Sequence, residues 1–387
     1  MRYRNICFIV MFSLLLVTPA IVSLFSEKDN GVNIENRESA KKPIFATDTM
    51  ANTTFMKKVA CHVNGLKGYC ADYNRYYVDN FVFRNQMTKY YMAAKMRLGT
   101  AAMGKNIIIG KDGWYFLGDL YSNIVSESMG YKPIPDNEMF FLKQNVLQCK
   151  SFCDSLNIPV VFVVAPNKMS IYYEYFPYQS ERKESRYDQV NEVMSDLDIP
   201  YVDLKSILLS NKEEGGEDLY RHIDSHWSFH GAYIAYLAIM EKFKPHLSDL
   251  TILTDSMFVK STAEMPGDLT SMLAMPEVLE SSPVYYPIQY PAQNDSSTQH
   301  VCGSFQYIKR HSTSDAKGKV LIFGDSFSCV LSVYFSSSFH ESLFYQAIGG
   351  ICFDKEVVLR EKPDCILVEV CEREVEKLTL LMGHYCE

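Results

Sequence analysis

The chain has 387 residues, of which 47% are hydrophobic, and a formal net charge of −8 at pH 7. The length accommodates one large domain or two smaller ones, and the apolar fraction is sufficient for a sizeable core. The sequence offers no basic stripe to neutralise phosphates, which argues against nucleic acid as a partner.

The N-terminus carries the features of an export signal. Arg2 and Arg4 precede a run of twenty residues without charge, 6–25. A cationic flank before an apolar run is typical of secretion signals and signal anchors. A spanning helix needs about 20 apolar residues and a cleaved signal only about 7–15, so the length favours an uncleaved anchor over residues 1–27. The rest of the chain is then expected outside the cytoplasmic membrane, although cleavage stays an alternative.

A polar stalk is predicted for residues 28–75, where charged and small residues are mixed. An extracytoplasmic location permits disulfides. Cys61 and Cys70 flank a polar segment that contains glycine, and we predict that they pair. Cys149 and Cys153 fall on the apolar stripe of a predicted helix, which favours small core residues over any reactive role.

Residues 76–387 alternate strand and helix patterns. Apolar runs predict strands over residues 106–109, 159–165, 200–204, 320–323, 343–347 and 365–370. Helices are predicted over residues 136–157, 185–196, 227–243 and 329–339. Strands separated by helices imply an α/β fold with a mainly parallel sheet and helices on both faces. Ligands in such sheets bind beyond the carboxyl ends of the strands.

The pattern weakens between residues 274 and 316. Prolines at 276, 283, 287 and 291 stand among Asn, Asp, Ser and Thr. These residues predict an irregular insertion, which could be a lid, a binding loop or an inert surface loop.

Ser326 follows the predicted strand 320–323 within a Gly-Asp-Ser turn. Such a turn exposes the hydroxyl at the carboxyl edge of the sheet, beside a helix N-terminus whose free N–H groups favour an oxyanion. A serine nucleophile needs a base, and the base needs an orienting partner. His226 has Asp224 two residues before it, so we predict a catalytic triad of Ser326, His226 and Asp224. Taken singly, Asp224 fits a helix cap and His226 a surface residue equally well.

A metal site is the alternative for the same segment. His222, His226 and His230 have i, i+4 spacing, and on a helix they would share a face, as zinc ligands do. The glutamate of a zinc-protease HExxH motif is missing, since Ile223 follows His222, and the segment before Trp227 is predicted as a loop. The sequence therefore favours the triad, and neither a metal nor a cofactor is expected.

Several stretches together resemble the AlgX/AlgJ-type polysaccharide O-acetyltransferases and the related DHHW proteins, which have an SGNH-hydrolase-like (flavodoxin-like) domain. They occur in the family's order, with the histidine block before the serine block, the reverse of ordinary SGNH hydrolases. The matching stretches are GKDGWYFLG (110–118), APNKMSIY (165–172) with Pro177, DSHW (224–227) with Gly231 and Ala232, GDLTSML (267–273) and GDSF (324–327).

The resemblance implies an acetyltransferase that uses the triad Asp224, His226 and Ser326 to modify hydroxyls of a polysaccharide. It also implies a membrane-bound O-acyltransferase partner that supplies the acetyl group, and a periplasmic domain held at the bacterial inner membrane. One departure is Ser225, where the DHHW proteins have a second histidine. The chain has no room after Val370 for the alginate-binding module of AlgX, which puts alginate in doubt as the acceptor.

The sequence offers several candidate donors for the oxyanion. The backbone N–H of Ser326 or Phe327 is the physical default, and Asn167 or Lys168, at the end of a neighbouring strand, could supply a second donor. Turn formation and solvation explain Asn167 and Lys168 equally well. Arg84 and Tyr345 are further candidates for the pocket.

Two other functions fit the same residues. An esterase that removes acetyl groups from polysaccharide would use the same triad, with water in place of the sugar hydroxyl. A non-catalytic scaffold of a polysaccharide export or acetylation complex would need no nucleophile.

Overall fold

This computed structural model describes residues 2–25, 39–44, 55–98, 106–120, 123–178, 180–247, 249–288, 298–302, 305–311, 316–347 and 351–383. The chain divides into two compact units. The first comprises Met1–Ala101 with Thr270–Val278, and the second comprises Ala102–Leu269 with Leu279–Glu387.

The described residues of the first unit include the helices α1 (Arg2–Phe25), α2 (Phe55–Asp79) and α3 (Arg84–Arg97). The segment predicted as an anchor is thus helical. In the part of the chain that the structure describes, no helix combines the length and apolar character needed to cross a membrane. Helix α2 covers much of the predicted stalk and continues past its expected end at residue 75.

The predicted pairing of Cys61 with Cys70 is wrong. Both residues lie on the continuous helix α2, nine positions apart, which separates them by about 13.5 Å along the axis. A disulfide needs Cα atoms within about 7 Å of each other. Cys70 is a free, exposed thiol. The polar, glycine-containing segment between the cysteines is helical and does not form the loop that pairing would require.

The second unit contains the strands, and the elements after residue 102 have the following bounds. The strands are β1 (Ile107–Ile109), β2 (Tyr115–Leu117), β3 (Val160–Ala165), β4 (Tyr201–Val202), β5 (Phe258–Pro266), β6 (Leu279–Pro287), β7 (Thr298–Cys302), β8 (Phe305–His311), β9 (Lys319–Gly324), β10 (Glu341–Ala347) and β11 (Cys365–Cys371). The helices are α4 (Ile124–Ser128), α5 (Asp136–Ser155), α6 (Lys168–Ile171), α7 (Arg186–Asp196), α8 (Leu204–Ser210), α9 (Phe229–Phe243), α10 (Asp268–Met272), α11 (Ser328–Ser338) and α12 (Lys355–Glu361). Three 3₁₀ segments cover Tyr173–Tyr175, Asp255–Met257 and Glu372–Leu380.

The central sheet has seven strands in the order β4-β3-β11-β9-β10-β8-β7. The first five are parallel, and β8 and β7 continue the sheet antiparallel. Alternate residues of the apolar runs point to opposite faces. Val161, Ile322 and Leu367 pack in a cluster with helices α9 and α11. Phe162 and Leu321 pack in a second cluster with α5, α7 and α12. The predicted α/β fold is confirmed.

The apolar stripe of α5 faces the second cluster as predicted. Leu142, Val146, Cys149 and Cys153 are fully buried there. Burial raises the pKa of the Cys149 thiol well above its usual value. Both cysteines are core residues.

The described parts of the segment 274–316 are mostly regular strands. It contains β6, which pairs antiparallel with β5, and β7 and β8, which extend the central sheet beyond β10. The prediction of irregular structure rested partly on Pro283 and Pro287. Both lie in β6, which belongs to a two-stranded sheet, and a strand paired on one side tolerates the missing N–H of proline on the other. Residues 289–297, which include Pro291, lie outside the described residues.

Gly231 gives a test of the packing that positions the loop before α9. Ser228 caps this helix by accepting a hydrogen bond from the Gly231 N–H, and a Cβ at position 231 would lie 2.1 Å from the carbonyl oxygen of Leu219. Gly231→Ala should therefore destabilise the second unit by about 1–3 kcal/mol. The measurement is urea unfolding followed by the fluorescence of Trp114 and Trp227.

The matched control is Gly68→Ala in α2, where an added methyl group meets no atom within 4 Å. It should not lower the unfolding midpoint. A Gly231→Ala midpoint equal to that of the wild type would show that the loop yields without cost.

Candidate active site

Three adjacent parallel strands end at the same edge of the sheet and place polar residues there. Strand β9 is followed by Ser326, β3 by Asn167 and Lys168, and β11 by Glu372 and Arg373. Because β3, β11 and β9 are neighbours in the sheet, their carboxyl ends bring these side chains together. This is the edge at which open α/β sheets bind ligands.

The loop between α8 and α9 supplies the other side of the site. A single antiparallel bridge joins Tyr220 to Trp227, and it closes a turn that contains Asp224 and His226. The Trp227 indole N–H donates to the carbonyl of Phe327 at 3.1 Å. The Phe327 ring is fully buried, with its centroid 5.0 Å from those of His226 and Trp227. This contact fixes the turn against the segment that carries Ser326.

Asp224, His226 and Ser326 form a continuous hydrogen-bonded relay. His226 Nε2 lies 2.8 Å from Ser326 Oγ, and His226 Nδ1 lies 2.8 Å from Asp224 Oδ1. The ring can therefore accept the serine proton through Nε2 while Asp224 holds the proton on Nδ1. Ser326 is half-buried, and 23% of the His226 side chain is exposed. A substrate can thus reach the hydroxyl.

Asp224 is held as a carboxylate by four donors. The ring and the backbone N–H of His226 bind Oδ1, at 2.8 and 3.0 Å, and Arg221 Nη1 and the backbone N–H of Asp268 bind Oδ2, both at 3.1 Å. Burial raises the pKa of Asp224, but its bonds to His226 and the charge of Arg221 outweigh that effect. The pKa of Asp224 therefore lies well below its usual value, and Asp224 is ionised at neutral pH.

A second carboxylate lies beside the same ring. Asp268 Oδ2 is 3.6 Å from His226 Nδ1. The Asp268 carboxylate accepts bonds from the backbone N–H of Ser225 at 2.7 Å and from its hydroxyl at 2.5 Å. The His226 ring therefore faces two acidic side chains from different segments.

Lys168 is hydrogen-bonded to the backbone of the turn that contains Asp224. Its ammonium donates to the carbonyls of Arg221, His222 and Asp224 at 3.0, 3.0 and 2.7 Å. Burial lowers the pKa of Lys168 to about 7, against the opposing pull of Asp268 and Asp224. Because these three carbonyls use all three of its donors, Lys168 is a positioning residue and is not free to bind an oxyanion.

The turn at Gly324, Asp325 and Ser326, called the nucleophile turn after the role predicted for Ser326, is tied to the end of β11. The carboxylate of Asp325 accepts from the backbone N–H groups of Phe327 and Cys371 at 2.9 and 2.7 Å, and its own N–H donates to Glu369 at 3.1 Å. Glu369 is fully buried, and burial together with the charge of Asp325 raises its pKa well above the usual value. A Cβ at Gly324 would lie 2.8 Å from Glu369, which explains the glycine of the turn.

The structure separates the oxyanion candidates. The Phe327 N–H donates to Asp325 and is therefore not available, which corrects that prediction. The Ser326 N–H has no acceptor among the described residues. The Asn167 side chain is buried beside the site, where its amide nitrogen donates to Ser128 at 3.2 Å and its backbone N–H donates to Glu372 at 2.7 Å.

Tyr345 is not a site residue. It lies in β10, is 8% exposed and packs in the second core cluster against Phe323, on the sheet face opposite Phe327. Because side chains alternate along a strand, Tyr345 points away from the triad. Arg84 begins α3 in the first unit, where its Nε lies 3.9 Å from Asp79.

Sequence reasoning assigned no role to Asp268, Arg221, Glu369 or Arg373. Asp268 lies in one of the motif stretches, which was the only signal available for it. Arg373 is half-buried, with its guanidinium carbon 5.2 Å from the centre of the Phe327 ring. It lines a small cavity together with Asn167, Lys168 and Ser225. Its guanidinium makes no hydrogen bond or ion pair with the described residues.

The three histidines of the metal alternative do not converge. The His222 ring lies 4.2 Å from Trp114 and is hydrogen-bonded to Asp218, while the His230 ring lies 6.2 Å from Tyr285. Within the described residues, the one group with suitable atoms in reach of each other is Asp224, His226 and Asp268. The Asp224 and His226 atoms of this group are hydrogen-bonded to each other, and Asp268 is hydrogen-bonded to Ser225.

The fold and this site together define an SGNH-hydrolase-like domain with the histidine block before the serine block. The family model for the SGNH hydrolase-like domain of acetyltransferase AlgX matches residues 107–343. This match covers more than half of the chain, and the chain belongs to that family. No curated protein matches the sequence.

Several solved structures are similar to the chain at low sequence identity. Bacillus cereus PatB1 with a sulfonyl adduct has a TM-score of 0.51 and 13% identity, covering 72% of this chain and all of PatB1. A DHHW family protein from Eubacterium siraeum has a TM-score of 0.49 and 18% identity, over 70% of this chain and 92% of that one. The O-acetyltransferase domain of Pseudomonas putida AlgJ has a TM-score of 0.45 and 16% identity, over the same shares.

Lys168→Met tests whether this ammonium holds the Asp224 turn. The methionine keeps the volume of the buried chain but removes three charged hydrogen bonds, each worth about 1.5–3 kcal/mol. Amide hydrogen exchange in residues 221–228, measured by mass spectrometry, should therefore become at least tenfold faster.

Lys212→Met is the matched control. Lys212 also donates to a buried carbonyl, that of Ile171 at 2.7 Å, but it has no bond to the Asp224 turn. It should leave exchange in residues 221–228 unchanged. Equal protection of that segment in folded Lys168→Met would disprove the assigned role.

Proposed function

We propose that this chain is an O-acetyltransferase that transfers an acetyl group, through an acetyl-serine intermediate on Ser326, to hydroxyls of a polysaccharide. The observation that carries the proposal is the relay in which His226 lies 2.8 Å from both Ser326 and Asp224. Membership of the AlgX family, whose matched domain is that of an acetyltransferase, supports acetyl transfer as the reaction. The polysaccharide acceptor is what the resemblance of the sequence motifs implies.

The first half-reaction forms the acetyl-enzyme. His226 Nε2 takes the proton of Ser326 while Oγ bonds to the carbonyl carbon of the acetyl donor. The Ser326 N–H is the donor available to the resulting oxyanion. The bond to the leaving group then breaks, and the imidazolium returns the proton to that group. Asp224 keeps the Nδ1 proton in place and stabilises the imidazolium.

The second half-reaction transfers the acetyl group. A sugar hydroxyl loses its proton to His226 and attacks the acetyl carbon, and the proton passes to Ser326 Oγ as the ester bond to the enzyme breaks. If water takes the place of the sugar, the same residues give an esterase. Arg373, which has no ion-pair partner among the described residues, is the cation placed to contact the substrate.

The donor is proposed to be a membrane-bound O-acyltransferase that presents acetyl groups on the outer face of the bacterial inner membrane, since soluble acetyl-CoA is not expected there. The acetyl-Ser326 adduct should then be lost in cells that lack this partner. The cationic start and the uncharged run from 6 to 25 support export of the domain.

Intact-protein mass spectrometry of the full chain after exposure to an activated acetyl ester tests the chemistry. The wild type should gain one acetyl group, located on Ser326 by peptide mapping. Ser326→Ala should gain none. His226→Ala should acylate at least 100-fold more slowly, because general base catalysis contributes about 10²–10⁴-fold. The exposed controls Ser155→Ala and His246→Ala should behave like the wild type.

Adding oligosaccharide acceptors separates the three candidate functions. Acetylated sugar identifies a transferase, and loss of the adduct to water alone identifies an esterase. A folded wild type that never forms the adduct would exclude both enzymes and leave the scaffold.

Location is tested by fusing the C-terminus of the full chain to a reporter enzyme that is active only after export. The fusion should be active, and deletion of residues 2–25 should abolish that activity, because the deletion removes the proposed export signal. A full-chain fusion that is expressed but is no more active than the deletion fusion would refute an extracytoplasmic domain.

A further inference from the structure

We propose that Asp268 is a second positioning carboxylate of the triad. Arg221 partly neutralises the negative charge of Asp224, and Asp268 supplies a further negative charge beside His226. The proposal rests on the proposed function, in which His226 is the base. It assigns to Asp268 the control of how readily His226 accepts the proton of Ser326.

The need for a second carboxylate comes from Arg221. Its guanidinium lies 3.1 Å from Asp224 Oδ2, and it is fixed there by bonds to the carbonyls of Met265 and Pro266 at 3.2 and 2.8 Å. A carboxylate already paired with a guanidinium stabilises an imidazolium less, because the two nearby charges largely cancel at the ring. Asp224 alone would therefore orient His226 but stabilise its positive charge less than a carboxylate without an arginine partner would.

Asp268 supplies the missing charge at a fixed place. Its Oδ2 lies 3.6 Å from His226 Nδ1, slightly too far for a hydrogen bond but close enough for a strong electrostatic effect in a partly buried site. The two bonds from Ser225 hold the carboxylate in that position. Only 23% of the side chain is exposed, so solvent screens the interaction incompletely.

The backbone beside Asp268 passes close to the segment that carries Asp224 and His226. A Cβ at Gly267 would lie 1.9 Å from the carbonyl oxygen of Ile223, so a residue without a side chain is required where the two segments meet. The Asp268 N–H then reaches Asp224 Oδ2. One residue thereby donates to the first carboxylate through its backbone and presents the second through its side chain.

The other charges near the ring make the second carboxylate necessary. Arg373 stacks on the Phe327 ring, and Lys168 lies under the Asp224 turn. Both cations disfavour a positive charge on the His226 ring. The negative charge of Asp268 opposes this effect, just as it opposes the burial that lowers the pKa of Lys168. The remaining acidic groups, Asp325 and Glu280, are engaged with the nucleophile turn and with the His222 N–H.

The test is an NMR titration of the His226 imidazole in the full-length chain, with the resonance assigned by its absence in His226→Ala. Asp268→Asn keeps the shape and removes the charge, so the pKa of His226 should fall by about one unit, the lower end of the effect of a neighbouring charge. Asp268→Glu should restore most of the wild-type value. Ser225→Ala leaves both carboxylates charged and should change the pKa far less than Asp268→Asn.

Arg221→Gln provides the opposite test and does not depend on the folding of the Asp268 variants. It frees the charge of Asp224, so the pKa of His226 should rise. An unchanged His226 pKa in folded Asp268→Asn, or in folded Arg221→Gln, would overturn the proposal and leave Asp268 as a purely structural residue.

The titration is independent of acetyl transfer, so the two proposals can fail separately. If the acetyl adduct forms, the acid limb of the rate against pH should move to lower pH in Asp268→Asn, together with the NMR value. If the adduct never forms but the NMR shift is present, the charge arrangement stands and the enzyme assignment fails.

Discussion

The parallel pairing of β9 with β11 and of β11 with β3 is the constraint on which the rest of the site depends. These strands are buried on both faces, so their carboxyl ends deliver polar residues to one edge of an otherwise apolar core. Polar groups at such an edge must find partners within the protein. Asp325 meets the N–H of Cys371, and Glu372 meets the N–H of Asn167. The sheet register thereby sets the geometry of the nucleophile turn.

The loop between α8 and α9, which carries Asp224 and His226, is attached to this edge of the sheet by a small number of strong interactions. Lys168 donates hydrogen bonds to three carbonyls of this loop, and the Trp227 indole donates one to the carbonyl of Phe327, the residue after Ser326. A buried ammonium is costly unless every donor is satisfied, and Lys168 meets that condition only when the loop is in place. The loop and the end of β3 therefore specify each other's position. The same ammonium is one of the positive charges that the carboxylates around His226 must balance.

Local patterns were sufficient to predict the parallel strands that flank the site and to pair Asp224 with His226, because each of these depends on residues that are close in sequence. Ser326 is 100 residues from His226, and its predicted place in the triad came from its own Gly-Asp-Ser turn and from the order of the motifs. The runs 159–165 and 320–323 are apolar throughout, as strands buried on both faces must be. Asp224 and His226 share one turn. The distant partners were not accessible in this way. Asp268 and Arg373 are 42 and 147 residues from His226 in the chain. Asp268 lies in a motif stretch that does not reveal its place beside the His226 ring, and nothing in the neighbourhood of Arg373 distinguishes it from a surface charge.

The errors have a related cause. Strands β6, β7 and β8 are stabilised by pairing with partners elsewhere in the chain, which proline and polar residues in their own sequence conceal. The Phe327 N–H was predicted to be free because helix N-termini usually offer such donors. Asp325 satisfies it instead, through the same carboxylate that binds Cys371. A side chain two residues away thus removed a donor that the backbone pattern alone would leave open.

The contacts of Ser225 explain why a small residue fits at this position, where the DHHW pattern has a second histidine. Its hydroxyl and N–H bind the Asp268 carboxylate, and its Oγ lies 3.4 Å from His226 Nδ1. The small side chain leaves space for Asp268 to approach the ring to 3.6 Å. An imidazole at position 225 would add bulk where the carboxylate now lies, and it could also carry a positive charge. The serine and the second carboxylate therefore form one arrangement, in which a small neutral residue beside the base allows an acidic residue from a distant segment to act on it.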